Sequence, residues 1–231
     1  MPDAGYVLTF ARRELSRERR QSEMEEYRLT HDPYNLVITG VGGQGNVMAS
    51  KVVANILVAQ GLQVTIGETF GATQRGGSVM SHLRVSHGSV WSTLIPKGRA
   101  HVIIGLEPIE ALRVLEPYGN PEVLVIANTR PVHPIGVLCG DQDYPEPGQI
   151  DAWLNRFSRR HWFLPATDEA VKLGAPILAN IILIGALAGT RVLPIEREEF
   201  SRAIDATMPR SRVAMNVHAF DLGWRMVTCH E

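Results

Sequence analysis

The residues best placed to do chemistry are glycines. Gly40, Gly42 and Gly45 in "GVGGQG" have the spacing G-x-G-x-x-G, between the apolar run "NLVIT" and the helix-like run "NVMASKVVANILVAQ". In a strand–turn–helix, such glycines turn the chain tightly and let backbone N–H groups approach a phosphate at the helix N-terminus. Glu68 ends the next strand-like run, roughly 20 residues on, where a dinucleotide fingerprint places an acid for a ribose. A phosphate loop of the G-x-x-x-x-G-K-[ST] type fails, because Asn46 and Val47 stand where lysine and a hydroxyl residue are required. The same glycines, with Gly43 and Gln44 among them, equally suit a tight β–α turn that packs helix on strand and holds no ligand.

A second stretch, "ETFGATQRGGSVMSHLR", leaves the carboxyl end of that next strand, where open α/β sheets place their sites. Gly71, Gly76 and Gly77 cannot obstruct a ligand or a partner chain. Beside them stand Thr73, Gln74 and Arg75, and the Arg75 guanidinium fork suits a carboxylate or phosphate. The alternative is that Arg75 caps a helix or pairs with Glu68. His82 and Arg84 alternate with Leu83 and so share one face of a strand, in a functional role or simply toward solvent.

The elements that must position these residues read as α/β. "NLVIT", "QVTIGET", "AHVIIGL", "EVLVIANT" and "HWFLPA" read as strands. The first helix stops at Gly61, and "EPIEALRVLEPY", "QIDAWLNRFSRR" and "TDEAVKLG", the last started by Thr167, read as helices. The run "SVMSHLRVS", a turn at "HGS", and "VWSTLI" predict a hairpin, which makes the sheet mixed. Residues 130–148, rich in proline and glycine, read as irregular surface, and the chain beyond Pro176 as helical. Within its apolar helix, "APILANIILIGALAG", Asn180 needs hydrogen bonds and Gly185 permits close approach of a neighbour. The expected fold is therefore a Rossmann-like three-layer α/β domain with a mixed sheet and a helical C-terminal part.

Composition bounds the functions. The 231 residues are 45% hydrophobic and 20% charged with net charge −1, which favours neither nucleic acid nor an anionic membrane as partner. Cys139 and Cys229 are the two cysteines, far apart and without C-x-x-C spacing, so no zinc ribbon or cysteine-ligated cluster is expected, and no metal ligands are assigned. No apolar stretch is long enough to span a bilayer comfortably, and the cytoplasm is the expected compartment. Residues 1–33 form a charged extension with almost no apolar stripe, a solvated helix or a disordered lead-in, or a stretch before a natural start at Met24. Residues 34–231 read as one domain.

Together, "VITGVGGQG", "ASK" and "GETFGATQRGGSVMSHLRV" resemble the start of the gamma domain of the 2-oxoacid:ferredoxin oxidoreductases. "LIPKGRAHVIIGLEPIEALR", "VIANTRPVHP", "YP" and "LGAPILANIILIGALAG" continue the resemblance in order, over about 34–206. It is closest to the indolepyruvate group, in which this domain is a separate small subunit called beta. The run "GATQRGGSVMSHLR" is the specific part.

The resemblance implies a subunit of an enzyme that decarboxylates a 2-oxoacid oxidatively with coenzyme A, giving an acyl-CoA, carbon dioxide and electrons for ferredoxin. It implies thiamine diphosphate with magnesium and [4Fe–4S] clusters on the partner subunit. This chain lacks the Gly-Asp-Gly signature for thiamine diphosphate, which "CGDQDYP" does not supply, and has too few cysteines for a cluster. The loop 71–77 would then face the partner, substrate or coenzyme A, with Glu68, Asn180 and Gly185 structural or at the interface. The rival reading is a free-standing NAD(P)- or flavin-dinucleotide oxidoreductase using Gly40, Gly42, Gly45 and Glu68. Its C-terminal half, however, offers only Asp168, His161 and His218 as unclustered acid–base groups. An interaction protein outside any enzyme is a third.

Overall fold

Residues 34–41 are apolar enough to be buried on both faces, which only the middle of a sheet provides. The computed structural model describes residues 7–9, 28–71, 77–133 and 135–229. In chain order the elements are β1 (Val7–Thr9), β2 (Tyr34–Val41), α1 (Asn46–Ala59), β3 (Gln63–Phe70), β4 (Ser78–Ser86), β5 (Val102–Gly105) and α2 (Pro108–Tyr118). There follow β6 (Leu124–Asn128), α3 (Ile135–Leu138), α4 (Pro147–Phe157), β7 (Arg160–Leu164) and α5 (Ala166–Lys172). A 3₁₀ turn (Pro176–Leu178) then leads into α6 (Ala179–Gly189), α7 (Arg197–Thr207) and α8 (Arg210–Thr228).

The seven strands form one sheet in the order β1-β3-β4-β2-β5-β6-β7. Strands β2, β5, β6 and β7 run parallel, and β4 is antiparallel to both of its neighbours, β2 and β3. The crossover β2-α1-β3 is thus parallel but leaves a one-strand gap, which β4 fills. Within the segment expected to be an extension, Val7–Thr9 lies as an edge strand on β3, and Leu29 is buried in the core.

The mixed sheet is as expected, but the hairpin that makes it mixed is a different one. Strand β4 pairs back onto β3 across residues 71–77, and "VWSTLI" is not a strand. The reason is that β2 and β3 occupy both edges of β4, leaving no edge for a further partner. The chain after β4 instead crosses the sheet face. Arg84 holds it there through the Ser92 hydroxyl (2.9 Å) and carbonyl (3.3 Å), and the Ile95 N–H donates to Nδ1 of His82 (3.4 Å). His82 and Arg84 do share a face, but both are buried and neither faces solvent. Thr167 does not cap a helix: α5 begins one residue earlier, and the Thr167 hydroxyl accepts from Asn128 (2.8 Å).

Each sheet face carries its own core. Leu36, Ile38, Ile66 and Leu83 pack with α1 and the C-terminal helices on one face. Val37, Ile103, Val125, Val114 and Leu154 pack with α2 and α4 on the other. Helix α6 is buried all round, so it needs neighbours on every side. Its contact with α8 is made backbone to backbone. A Cβ at Gly185 would lie 2.0 Å from the Phe220 carbonyl oxygen, and one at Gly223 1.7 Å from that of Ile182. Replacing Gly185 with alanine must push two core helices apart, so Gly185→Ala should lower stability in urea unfolding by at least about 2 kcal/mol. Gly148→Ala, in the first turn of α4 with nothing within 4 Å of the added methyl, should be neutral or mildly stabilising.

Candidate functional site

The two glycine-rich stretches meet at the carboxyl end of β2, beside the start of β4. Gly45 adopts φ +85°, the left-handed region where a Cβ is strained, and is the N-cap of α1. The turn is filled by its own side chains. The Val41 N–H donates to Oε1 of Gln44 (2.7 Å), and Nε2 of Gln44 donates to the Leu106 carbonyl (3.1 Å). The Gly42 N–H donates to the Gly77 carbonyl (2.9 Å), and Nδ2 of Asn46 donates to the Val79 carbonyl (2.8 Å). Nδ2 of Asn180, on α6, donates to the Gln44 carbonyl (3.3 Å). A Cβ at Gly40 would sit 2.6 Å from Oε1 of Gln44, and one at Gly45 2.5 Å from Nδ2 of Asn180.

This geometry does not suit a dinucleotide. The N–H groups of Val41 and Gly42, at the mouth of the turn, are spent inside the chain, and the Gln44 side chain is folded back into the turn beside Gly40. Glu68 lies on β3, separated from β2 by the whole of β4, so it is not the acid on the adjacent strand that a ribose contact requires. Glu68 is instead buried opposite Ser81, and burial raises its pKa although the Lys51 charge pulls it back. Among the described residues, no hydrogen-bond partner meets Oε1 of Glu68, Oγ of Ser81, or Oδ1 of Asn46 and Asn180.

Of the second stretch, Gly71 and Gly77 are described, and the Gly71 N–H donates to the Ser78 carbonyl (2.7 Å). Thr73, Gln74, Arg75 and Gly76 lie outside the described residues. The structure thus brings Gly42, Asn46 and Asn180 together with Gly77 and the start of β4. It does not bring Asp168, His161 and His218 together. Asp168 pairs with Arg130 (3.1 Å), His161 with Asp151 (2.8 Å), and His218 lines an open groove between α7 and α8.

A polar belt across the same sheet end was missed from the sequence. Glu107, 2% exposed, caps α2: its Oε2 accepts from the Glu110 N–H (2.9 Å). Its Oε1 accepts from the Val132 N–H (3.3 Å) and the Tyr144 hydroxyl (2.5 Å). Burial and the Glu107 carboxylate hold the Tyr144 phenol far above its usual range. Oε2 of Glu110 accepts from the Ser78 hydroxyl (2.5 Å), and Asn128 exchanges bonds with Thr167. The signal for the cap was present, since an acid directly before Pro108 is a helix start. The partners from 37 and 32 residues away had none. Among the described residues, no group of three or more His, Cys, Asp or Glu could hold a metal ion, and no helix is long and apolar enough to cross a membrane.

Fold and site define an open α/β domain whose glycine turn is a junction between strands and helices of its own chain. The family model described as "Pyruvate ferredoxin/flavodoxin oxidoreductase" matches residues 35–226, and the chain belongs to that family. Indolepyruvate oxidoreductase subunit IorB of Archaeoglobus fulgidus is 39% identical over 190 residues, 82% of this chain and 93% of that protein. Two solved structures share the fold. The gamma subunit of a keto/oxoacid ferredoxin oxidoreductase from Geobacter sulfurreducens (TM-score 0.60, 18% identity) is matched over 85% of this chain and 99% of its own. The 2-oxoglutarate:ferredoxin oxidoreductase of Magnetococcus marinus, solved with 2-oxoglutarate, coenzyme A and succinyl-CoA bound, has TM-score 0.66 and 17% identity; the match covers 86% of this chain and 32% of that one.

Two outcomes follow. Gln44→Ala should leave the Val41 N–H without its partner and cost about 1–3 kcal/mol in urea unfolding. Calorimetric titration with NAD(P) or flavin dinucleotides should show no saturable binding to either protein. The second outcome concerns His82, fully buried, whose pKa is lowered by burial to about 4 from 6.5. The unfolded chain takes up this proton first, so the stability is complete above pH 6.5 and is lost as pH falls toward 4. The loss amounts to about 3 kcal/mol for this group. His82→Asn, which keeps an acceptor for the Ile95 N–H, should flatten that part of the stability–pH profile measured by urea unfolding.

Proposed function

We propose that the chain is the cofactor-free beta (gamma-type) subunit of a thiamine-dependent 2-oxoacid:ferredoxin oxidoreductase of the indolepyruvate type. The observation that carries this reading is the 39% identity to an indolepyruvate oxidoreductase subunit over 93% of that subunit. The glycine turn supports it, because a turn whose Val41 and Gly42 N–H groups are bonded within the chain is suited to be a scaffold for a neighbour. In this reading residues 34–231 act as one domain, onto which the edge strand Val7–Thr9 and Leu29 of the charged segment 1–33 also pack, and the enzyme works in the cytoplasm. A partner subunit holds thiamine diphosphate with magnesium and [4Fe–4S] clusters. Thiamine diphosphate supplies the carbanion-stabilising chemistry, the clusters carry electrons to ferredoxin, and coenzyme A takes the acyl group.

The part given to this chain is to bind and to orient. The stretch 71–77 is assigned to the face toward the partner, the 2-oxoacid or coenzyme A, with Thr73, Gln74 and Arg75 between glycines that leave room for approach. Arg75 offers a planar fork of donors that pairs bidentately with a carboxylate or phosphate, whereas lysine keeps the charge and loses the fork.

The experiment is reconstitution with the thiamine-binding subunit. The chain alone should be colourless and inactive, and the mixture should assemble and turn over an arylpyruvate with coenzyme A. Arg75→Ala should cost about 2–5 kcal/mol in assembly or in transition-state stabilisation, with Arg75→Lys recovering part. Thermal unfolding of the isolated chain should be unchanged. Reduced stability of the isolated variant with normal assembly and turnover would make Arg75 an internal structural residue. Iron and sulfide retained by the chain purified alone would overturn the assignment of the clusters to the partner.

A further inference from the structure

A pocket of about 830 Å³ lies between the segment that follows α6 and the last turns of α8. Its size is within the range of small-molecule sites, about 300–1,000 Å³. It sits at the opposite end of α6 from the glycine turn: Asn180, in the first turn of that helix, reaches Gln44, whereas Arg191 follows its C-terminus. The floor is apolar, with Leu193, Ile195 and Phe220 all buried. Close packing fixes the walls. Phe220 stacks on Phe200 with ring centroids 4.3 Å apart, and a Cβ at Gly189 would lie 2.9 Å from the Trp224 carbonyl oxygen. Trp224, 38% exposed, adds an indole to the lining.

Charged groups converge on this apolar space. Among the described residues, the lining holds the three arginines Arg191, Arg197 and Arg225 and the two carboxylates Glu196 and Asp221. Asp221 is taken by the Arg197 fork, with Nε to Oδ1 at 2.7 Å and Nη2 to Oδ2 at 2.9 Å. Nε of Arg225 donates to the Asp221 carbonyl (3.2 Å), which orients that guanidinium. Three cations against two anions leave one net positive charge. That balance matches a monoanion, while the phosphates of a nucleotide would be repelled by Glu196 and Asp221.

Arg191 supplies an independent observation. Among the described residues it is the one non-glycine residue with positive φ (57°). Its N–H donates to the Ala188 carbonyl (3.0 Å) directly after the C-cap Thr190, a position where helices favour glycine. An arginine there carries a backbone cost that ending the helix does not require, and its side chain lines the pocket. An aromatic ring suits an indole and an apolar floor, and a guanidinium fork suits a carboxylate.

We propose that this pocket binds a small aromatic monocarboxylate, with its acid group at Arg191 and Arg225 and its ring against Trp224. All of these residues belong to this chain, so binding is independent of the subunit reading above.

The test is calorimetric titration of the full chain with indole-3-acetate. Saturable binding is expected, with Kd below about 1 mM. Indole-3-acetamide keeps the ring and loses the charge, and should bind about tenfold more weakly. Arg225→Gln should weaken indole-3-acetate binding about tenfold and Trp224→Ala about fivefold. Arg191→Gly should also weaken it about tenfold, yet keep a cooperative thermal transition, because glycine suits the left-handed backbone. Arg159→Gln removes an exposed charge outside the lining and should leave binding unchanged. Failure to saturate, equal binding of the acetamide, tighter binding of adenosine monophosphate, or affinity untouched by the three pocket variants overturns the proposal.

Discussion

The side-chain amide of Gln44, folded back into its own turn, is the constraint on which this end of the molecule depends. It joins the Val41 N–H to the Leu106 carbonyl and so links β2 to the chain leaving β5. The backbone bond from the Leu106 N–H to the Thr39 carbonyl (2.8 Å) extends the same seam. Gly40 must lack a side chain because Gln44 takes its space, and Gly45 must be glycine because of its positive φ and the nearby Asn180 amide. The glycine pattern that looks like a phosphate cradle is thus required by contacts within the chain.

From that seam the arrangement spreads to every layer. Asn180 brings α6 down onto the turn, and α6 in turn receives α8 through glycines on both helices. Asn46 and Gly42 hold β4, and β4 completes the gap left by the β2-α1-β3 crossover. Below β4, Arg84 and His82 fasten the chain from 92 to 95 across the second face. On that same face, Glu110 and Glu107 fasten α2 and the segment around Tyr144. A sheet end that in a nucleotide-binding fold stays open is here crossed by side-chain bonds from Gln44, Asn46, Asn180 and Glu110.

Local signals carried much of this architecture. Apolar runs of four to eight residues placed the strands, three-to-four-residue spacing placed the helices, and the fold class and family followed from them and from the run 71–84. The reading of Asn180 and Gly185 also rested on a local argument, since an amide and a missing side chain inside a fully apolar helix each demand a neighbour. That neighbour proved to be the glycine turn for Asn180 and the Phe220 backbone for Gly185. The role of the second glycine-rich stretch stayed an inference from resemblance, because Arg75 and its neighbours lie outside the described residues.

By itself, the sequence determined most of the elements and the glycine positions, properties of neighbouring residues along the chain. Only the tertiary structure decided strand order, and with it the meaning of the residues. Inserting β4 between β2 and β3 removed Glu68 from the ribose position, buried His82 and Arg84, and took from "VWSTLI" any edge to pair with. It also made Gln44, Glu107 and Glu110 matter, through contacts 62, 37 and 32 residues away. The physical reason is that strand pairing and buried hydrogen bonds are chosen by which edges and polar groups remain unsatisfied once the whole sheet is assembled, and no local window of residues contains that information.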